Sequence, residues 1–360
     1  MMDTASGGHR SRRDILRGSL TLAIAGAAGS AQARLQQQSP GKKIRLRDTI
    51  PSREFGKTGH RLPVLAFGGS AMVEQWGKGY GVDLPPFAAR LKMVREAYEA
   101  GIRYFDTSRN YHESESILGE ALKDVRENVY LATKVGVDWE KAGIIGANRV
   151  RASVEMSLKQ LRTDYVDCLQ IHGPVYEYYG YDRAMQIYDE VAKLRQEKLC
   201  RFVGITGHAA FQPMYRLIDA KLFDTVFLAY GYFPKGMDTM LSHANLQWRE
   251  LCLARARELG MGVLAMKVLG SFVMGHNARN LVPDFGESRL REVRKAALRW
   301  ALRADNPPVL VVGVSLPGDV ADNMETLRAG GTFTRDDQKL LAEFSARALA
   351  SKVIQDLKVT

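Results

Sequence analysis

The 360-residue chain has little cysteine, little tryptophan and no long unbroken apolar run. Its three cysteines, Cys168, Cys200 and Cys252, are widely spaced in apolar surroundings, and read as buried free thiols rather than a disulfide framework or a metal site. The seven histidines show no metal-ligand spacing. The net charge of +11 is dispersed, with no run of five like charges and no base-stacking motif beside it, so nucleic acid is not an expected partner. No apolar run is followed by Gly-x-Gly-x-x-Gly; the nearest candidate, Phe67, Gly68, Gly69, Ser70, is a glycine pair without that fingerprint. What is present, 46% apolar and 25% charged residues, is ordinary for a globular enzyme with one large domain.

The first 33 residues stand apart from that domain. Ser11, Arg12, Arg13, Asp14, Ile15, Leu16 and Arg17 form a twin-arginine core, Gly18 to Gly29 is weakly apolar, and Ala31, Gln32, Ala33 is a small-residue cleavage site. The apolar stretch is shorter than the roughly 20 residues of a membrane-spanning helix. Residues 1–33 are therefore expected to be an export signal and the mature protein periplasmic, without stable membrane insertion; an uncleaved anchor and a cytoplasmic protein are the alternatives. The segment carries +2, from Arg10, Arg12, Arg13 and Arg17 against Asp3 and Asp14, which leaves +9 on the remainder. Residues 34–50 read as a polar, basic linker, and 51–360 as the folded domain.

Beyond the linker one grammar repeats: a short apolar run, a polar or glycine-containing turn, then a segment of helical period. Strand candidates are Leu62 to Gly69, Arg103 to Asp106, Val129 to Val135, Asp167 to His172, Arg201 to Thr206, Thr225 to Tyr230, Gly262 to Lys267 and Val309 to Ser315. Helical patterns lie near 87–100, 114–124, 148–162, 184–198, 210–221, 243–259 and 288–304, with two more after the last strand. Alternating strands and helices imply right-handed βαβ units and a parallel sheet. Eight units over about 250 residues is the count at which such a sheet closes into an α/β (β/α)8 TIM barrel.

In such a barrel the strand ends share one face, where ligands bind. The second strand offers Asp106, with Tyr111 just beyond, the third Lys134 and the fourth His172. A buried ammonium is tolerable when paired, and Asp106 is a partner for Lys134. A cation beside Tyr111 is expected to lower its pKa from about 10 and bring it into range for proton transfer. Taken singly, each residue also has a structural reading: a wet loop aromatic, a satisfied core histidine, a structural ion pair.

These four residues, in this order, are where the chain resembles the aldo-keto reductase superfamily. Asp106, Thr107, Tyr111, Ser114, Glu115, Leu118 and Gly119 match its D-T-x-x-x-Y-x-x-S-E-x-x-L-G signature. Arg53, Phe55, Gly56, Thr58 and Gly59 look like its opening hairpin, and Asp164, Tyr165 and Asp167 like the segment leading to its histidine. Gly313, Val314, Ser315 and Asn323 keep the spacing of its nucleotide-binding elements. The resemblance implies an N-terminal hairpin, extra C-terminal helices and an NADPH- or NADH-dependent reduction of a small-molecule aldehyde or ketone. It implies Tyr111 as general acid, tuned by Lys134 and Asp106, with His172 orienting the carbonyl. Monomer is the family's commonest state.

For the cofactor it implies contacts from Gly69, Thr206, Tyr230, Lys267, Leu269, Gly313, Ser315, Asp319, Asp322 and Asn323. Tyr230 takes the place of the ring-stacking aromatic, with a packed barrel residue as its alternative. Departures are informative. Gly204, Ile205, Thr206, Gly207, His208 stand where many members have Ser-Asn for the carboxamide. Met266, Lys267, Val268, Leu269, Gly270 resembles an M-K-x-L-G subgroup, in which Lys267 faces the pyrophosphate or solvent. Asp319 replaces a common Arg or Gln near the adenosine ribose, and a carboxylate there is expected to disfavour a 2′-phosphate, so that NADH is tolerated or preferred. Asp322 takes the place of the usual Glu.

Substrate choice belongs to loops. One after His172 carries Tyr176, Tyr178, Tyr179 and Tyr181, a second after Tyr230 carries Tyr232, Phe233 and Met237, and a third, Ser271 to Glu287, is long enough to cover a cofactor. Two other functions fit the same residues: a cofactor-binding regulatory protein with negligible turnover, and a barrel hydrolase or isomerase using Asp106 and His172.

Overall fold

A computed structural model describes residues 44–47, 50–79, 81–138, 143–271 and 273–360. The expected export signal, 1–33, and most of the linker lie outside the described residues. Eight parallel strands, each buried along almost its whole length, form a closed barrel: β1 Leu65–Gly68, β2 Tyr104–Asp106, β3 Tyr130–Val135, β4 Val166–Ile171, β5 Cys200–Gly207, β6 Thr225–Ala229, β7 Gly262–Met266 and β8 Val309–Gly313. Continuous apolar runs such as VDCLQI make sense here because both faces of the sheet are covered, by side chains within and helices outside. Neighbours in space are neighbours in sequence, and β8 closes onto β1 with Gly313 opposite Gly68.

The longer helices are α1 Phe87–Ala100, α2 Ser114–Leu122, α3 Val150–Leu161, α4 Pro174–Gln196, α5 Phe211–Asp219, α6 His243–Glu258, α7 Gly286–Ala301, α8 Asp319–Arg328 and α9 Arg335–Ala350. Their ends follow local chemistry. Ser242 caps α6 through the Asn245 amide, and Thr334 with Asp337 makes a capping box on α9.

All eight expected strands are present, with two corrections. The run Leu62 to Gly69 is two elements. Arg61–Pro63 pairs antiparallel with Ser52–Glu54 as a hairpin, and only Leu65–Gly68 enters the barrel. The tyrosine-rich segment after His172 is helical from Pro174, not a loop. It is interrupted only at Gly180, whose φ of 79° a side chain rarely adopts.

The hairpin seals the barrel's N-terminal end. Phe55 is fully buried, edge-on to Tyr104 at 5.6–6.1 Å together with Tyr130, and those two tyrosines stack at 5.1 Å on the first residues of β2 and β3. Gly262, the first residue of β7, has no room for a side chain, since a Cβ there would lie 2.8 Å from the Phe55 ring. The opposite end stays open. A second apolar cluster joins α7, α9 and the segment after β7 through Val273, Met274, Leu281, Phe285 and Phe344. The long segment from Ser271 is thus anchored along one side by its own apolar residues. Phe55→Ala should lower stability by about 3–5 kcal/mol through cavity formation at this plug. Urea unfolding checks it, with the cleft at the far end expected to keep its ligand affinity.

Candidate active site

Strand register brings the expected residues to the open rim. Asp106 ends β2 opposite Ala132, Lys134 lies opposite Gln170, and His172 follows β4 with its amide donating to Val135 O at 3.0 Å. The turn between β2 and α2 is stapled by its own polar residues. Thr107 Oγ1 donates to Ser114 Oγ at 2.8 Å, and Ser114 Oγ donates to Gly69 O at 3.0 Å. Buried Glu115 accepts from Thr133 Oγ1 at 2.7 Å and pairs with Arg109 at 2.9 Å. These contacts hold Tyr111 over the barrel mouth.

There the four residues meet. Lys134 Nζ lies 2.5 Å from Asp106 Oδ1 and donates to Thr107 O at 2.8 Å. It sits 4.6 Å from the centre of the Tyr111 ring. Tyr111 packs edge-on against His172 at 5.8 Å, and Trp76 covers it from outside at 5.1 Å. Ser108 Oγ is 3.5 Å from His172 Nδ1. A residue that the sequence reading missed, Gln170, completes the pair's polar shell by donating to Asp106 Oδ2 at 3.0 Å. Its signal was available: Gln170 is a polar residue in an apolar strand, two before His172 and so on the same face.

Burial dominates the electrostatics. It pushes the Asp106 carboxyl up and pulls the Lys134 ammonium down; on Lys134 the attraction of Asp106 and Tyr111 outweighs burial and holds the group above its usual range. Tyr111 departs from expectation. Burial raises its pKa, Lys134 opposes this and Asp106 adds to it, so the phenol stays protonated above its ordinary value. His172 is driven far below 6.5 by burial and by Lys134 and Lys267, which makes it a neutral imidazole.

A cleft of ≈ 570 Å³ opens from these residues. It is lined by Lys267, Leu269, Gly313, Ser315, Asp319, Asp322 and Asn323 among the expected cofactor contacts. Three others do not line it. Gly69 is consumed by packing, since a Cβ there would meet Ser114 Oγ at 2.5 Å, while its neighbours Gly68 and Ser70 face the cleft. Thr206 is fully buried, accepting from the Gly173 amide at 2.9 Å and, through its carbonyl, from Tyr176 Oη at 2.9 Å. Tyr230 stacks on Trp300 of α7 at 5.7 Å, and Phe227 and Met266 face the cleft instead. Tyr230 lies three positions beyond inward-facing Phe227, and that odd step along an extended chain turns it to the other face.

At the far end, Asp319 is already committed. Its Oδ2 accepts from the amides of Ser315 at 2.8 Å and Leu316 at 3.0 Å, and its Oδ1 lies 2.7 Å from His276 Nε2. Burial pushes this carboxyl up, but His276 and the two amides prevail and hold it low. Asp322 pairs with Arg291 across α7 and α8, with Nε at 3.0 Å. Lys267, with a left-handed φ of 56°, is pulled down to about 8 by burial and by Lys235. Paired Gly68 and Gly313 put no side chain into the cleft, and Ser70, Asn110, Ser315 and Asn323 supply polar groups around it.

Comparison with known proteins agrees with that geometry. The model of the "Aldo/keto reductase family" matches residues 64–345. The chain is 28% identical to an L-galactose dehydrogenase of Arabidopsis thaliana over 310 residues, covering 82% of this chain and 94% of that protein. It is 26% identical over 242 residues to the methylglyoxal reductase DkgA of Escherichia coli, with 64% and 76% covered. Among solved structures, an aldo-keto reductase from Bacillus halodurans in its holo form superposes with a TM-score of 0.62 at 20% identity, covering 82% of this chain and 96% of that one.

The neutral histidine gives a pH dependence. Below its ordinary pKa near 6.5, an unfolded chain takes up a proton that buried His172 refuses, so stability is full above pH 6.5 and falls as pH drops. Urea unfolding between pH 7.5 and 5.5 should show a loss approaching about 1.4 kcal/mol per pH unit for each such histidine. The slope should shrink by that amount in His172→Asn.

Proposed function

The chain belongs to the aldo/keto reductase family, whose members reduce carbonyls to alcohols with NAD(P)H, and from that premise we propose that it reduces a small aldehyde or ketone through Tyr111, Lys134, Asp106 and His172. The observation that carries the reading is the convergence of these four buried side chains at one end of a cleft lined by Gly313, Ser315 and Asn323.

A bound reduced nicotinamide supplies the hydride for the carbonyl carbon. Tyr111 gives its phenolic proton to the carbonyl oxygen as negative charge builds there. Its raised pKa keeps that proton in place until the oxygen becomes basic enough to take it. Lys134 stabilises the phenolate left behind, and is itself kept charged by Asp106. Neutral His172 donates from its ring to the same oxygen and orients the carbonyl. Gln170 holds Asp106 in position. Trp76 and Tyr178 wall the reacting end and favour a substrate with an apolar or ring-bearing part.

Lys267, Leu269, Gly313, Ser315 and Asn323 are the residues we assign to the cofactor, with Met266 to Gly270 as the mark of an M-K-x-L-G subgroup. NADH is accepted alongside or ahead of NADPH. We take the Asp319 carboxylate to lie near the adenosine ribose, where it would repel a 2′-phosphate. The cleft-lining cations Arg291, Arg294 and Lys295 pair with Asp322, Glu287 and Glu325, although Arg294 Nη1 has no hydrogen-bond partner among the described residues. We propose a monomer, the commonest state in the family that the chain resembles.

The test is titration of cofactor fluorescence with NADH and NADPH, followed by oxidation of the bound cofactor with an aldehyde panel. Tyr111→Phe should cut turnover by about 10²–10⁴-fold while leaving cofactor affinity nearly intact. Full turnover in that variant sinks the assignment, and much tighter binding of NADPH than of NADH sinks the cofactor preference.

We further propose export by the twin-arginine route on the strength of Arg12, Arg13 and the Ala31-Gln32-Ala33 site. Fractionation of cells expressing the tagged full chain should find the mature form in the periplasm, and Arg12→Lys together with Arg13→Lys should hold it in the cytoplasm. Cytoplasmic residence of the unaltered chain refutes it.

A further inference from the structure

Beside His172 lies a second histidine that the reaction as described does not use. His208 follows β5, and its ring centre is 6.0 Å from that of His172. It is 4% exposed and lines the cleft, yet neither Nδ1 nor Nε2 has a hydrogen-bond partner among the described residues. Its placement is built rather than incidental. The Glu177 carboxylate accepts from the backbone amides of His208 at 2.7 Å and Ala209 at 3.2 Å, fixing the strand end from which the ring projects. Buried polar atoms left unpaired are costly and uncommon in native proteins, so two on one ring facing a cleft point to a ligand group.

We infer that His208 is a specificity-determining residue, which binds an oxygen carried on the carbon next to the reacting carbonyl, so that the preferred substrates are hydroxylated carbonyl compounds. The inference rests on the reductase reading above. The His172 ring neighbours both others, with Tyr111 at 5.8 Å and His208 at 6.0 Å. With a carbonyl oxygen held by Tyr111 and His172, a substituent on the neighbouring carbon is within reach of His208, which adjoins His172 and lines the same cleft.

The group bound carries both a donor and an acceptor by complementarity: a substrate hydroxyl fits, and so does the nicotinamide carboxamide, which the cofactor affinities measured below distinguish from it. Burial, with Lys267, His172, Lys134 and Lys235 adding to it, keeps the His208 ring neutral, so it presents one N–H and one lone pair. A hydroxyl also presents one donor and one acceptor. A carboxylate would leave the lone pair facing negative charge. A hydrocarbon would leave both nitrogens unpaired, and a site built to pair a hydroxyl rejects the analogue lacking it.

The experiment compares kcat/KM for glycolaldehyde and acetaldehyde with the full enzyme, His208→Phe and His208→Asn. The ratio is read within each protein, so that shared losses of folding or cofactor affinity cancel. The expected result is a ratio above one in the parent that falls by about tenfold in His208→Phe and recovers in part in His208→Asn, which keeps a donor and an acceptor. Dissociation constants for NADH and NADPH are measured on the same proteins. An unchanged ratio overturns the inference, and a weakened cofactor with an unchanged ratio reassigns the ring to the nicotinamide carboxamide. Turnover of neither aldehyde, nor of any member of the aldehyde panel, while cofactor still binds removes the reductase reading and this inference with it; turnover of panel members but not of glycolaldehyde overturns the inference alone.

Discussion

The ion pair between Lys134 and Asp106 is the constraint on which the open end of the barrel depends. Neither charge tolerates burial alone, and removing one partner of such a pair strands the other at a cost of several kcal/mol. The barrel register supplies both members from adjacent strands, and Gln170 and the Thr107 carbonyl take up the remaining hydrogen-bonding capacity. Because the ammonium persists, a fixed positive charge lies beneath Tyr111. The same charge works against protonation of His172 and His208. Burial is the main cause of the protonation states of the three aromatic side chains around the pair; the Lys134 charge adds to it at His172 and His208 and opposes it at Tyr111.

Stability and chemistry are divided between the two ends of the barrel. At the N-terminal end, Phe55, Tyr104 and Tyr130 fill the mouth with aromatic surface, and Gly262 yields its side-chain space to the Phe55 ring. At the C-terminal end the strand termini carry polar and charged groups, and Gly68 and Gly313 leave the floor bare. A plugged base lets the rim keep unsatisfied and charged groups that would otherwise endanger the fold.

The cleft's far end is built from long-range contacts. Asp319 ties the turn before α8 to the segment after β7 through His276, and that segment is itself anchored in the apolar cluster with α7 and α9. A carboxylate spent on two backbone amides and an imidazole acts on a ligand through its charge more than through a free hydrogen bond.

Much of this was legible in the chain. Eight apolar runs separated by helical periods determined the barrel, because a parallel strand covered on both faces must be apolar throughout. Polar residues ending those runs determined Asp106, Lys134 and His172 as rim residues, because the strand ends of a parallel barrel share one face. The direction of the Tyr111 shift was not legible: the sequence shows a cation nearby but not the depth of burial that overrides it. Nor was the fate of Tyr230, since its face depends on where β6 stops being extended, or that of Thr206, whose hydroxyl is taken by a glycine amide 33 positions earlier. The unpaired ring of His208 likewise became visible only in three dimensions. Local periodicity and spacing are properties of the chain, whereas burial, partner and facing are decided by residues that the fold brings in from elsewhere.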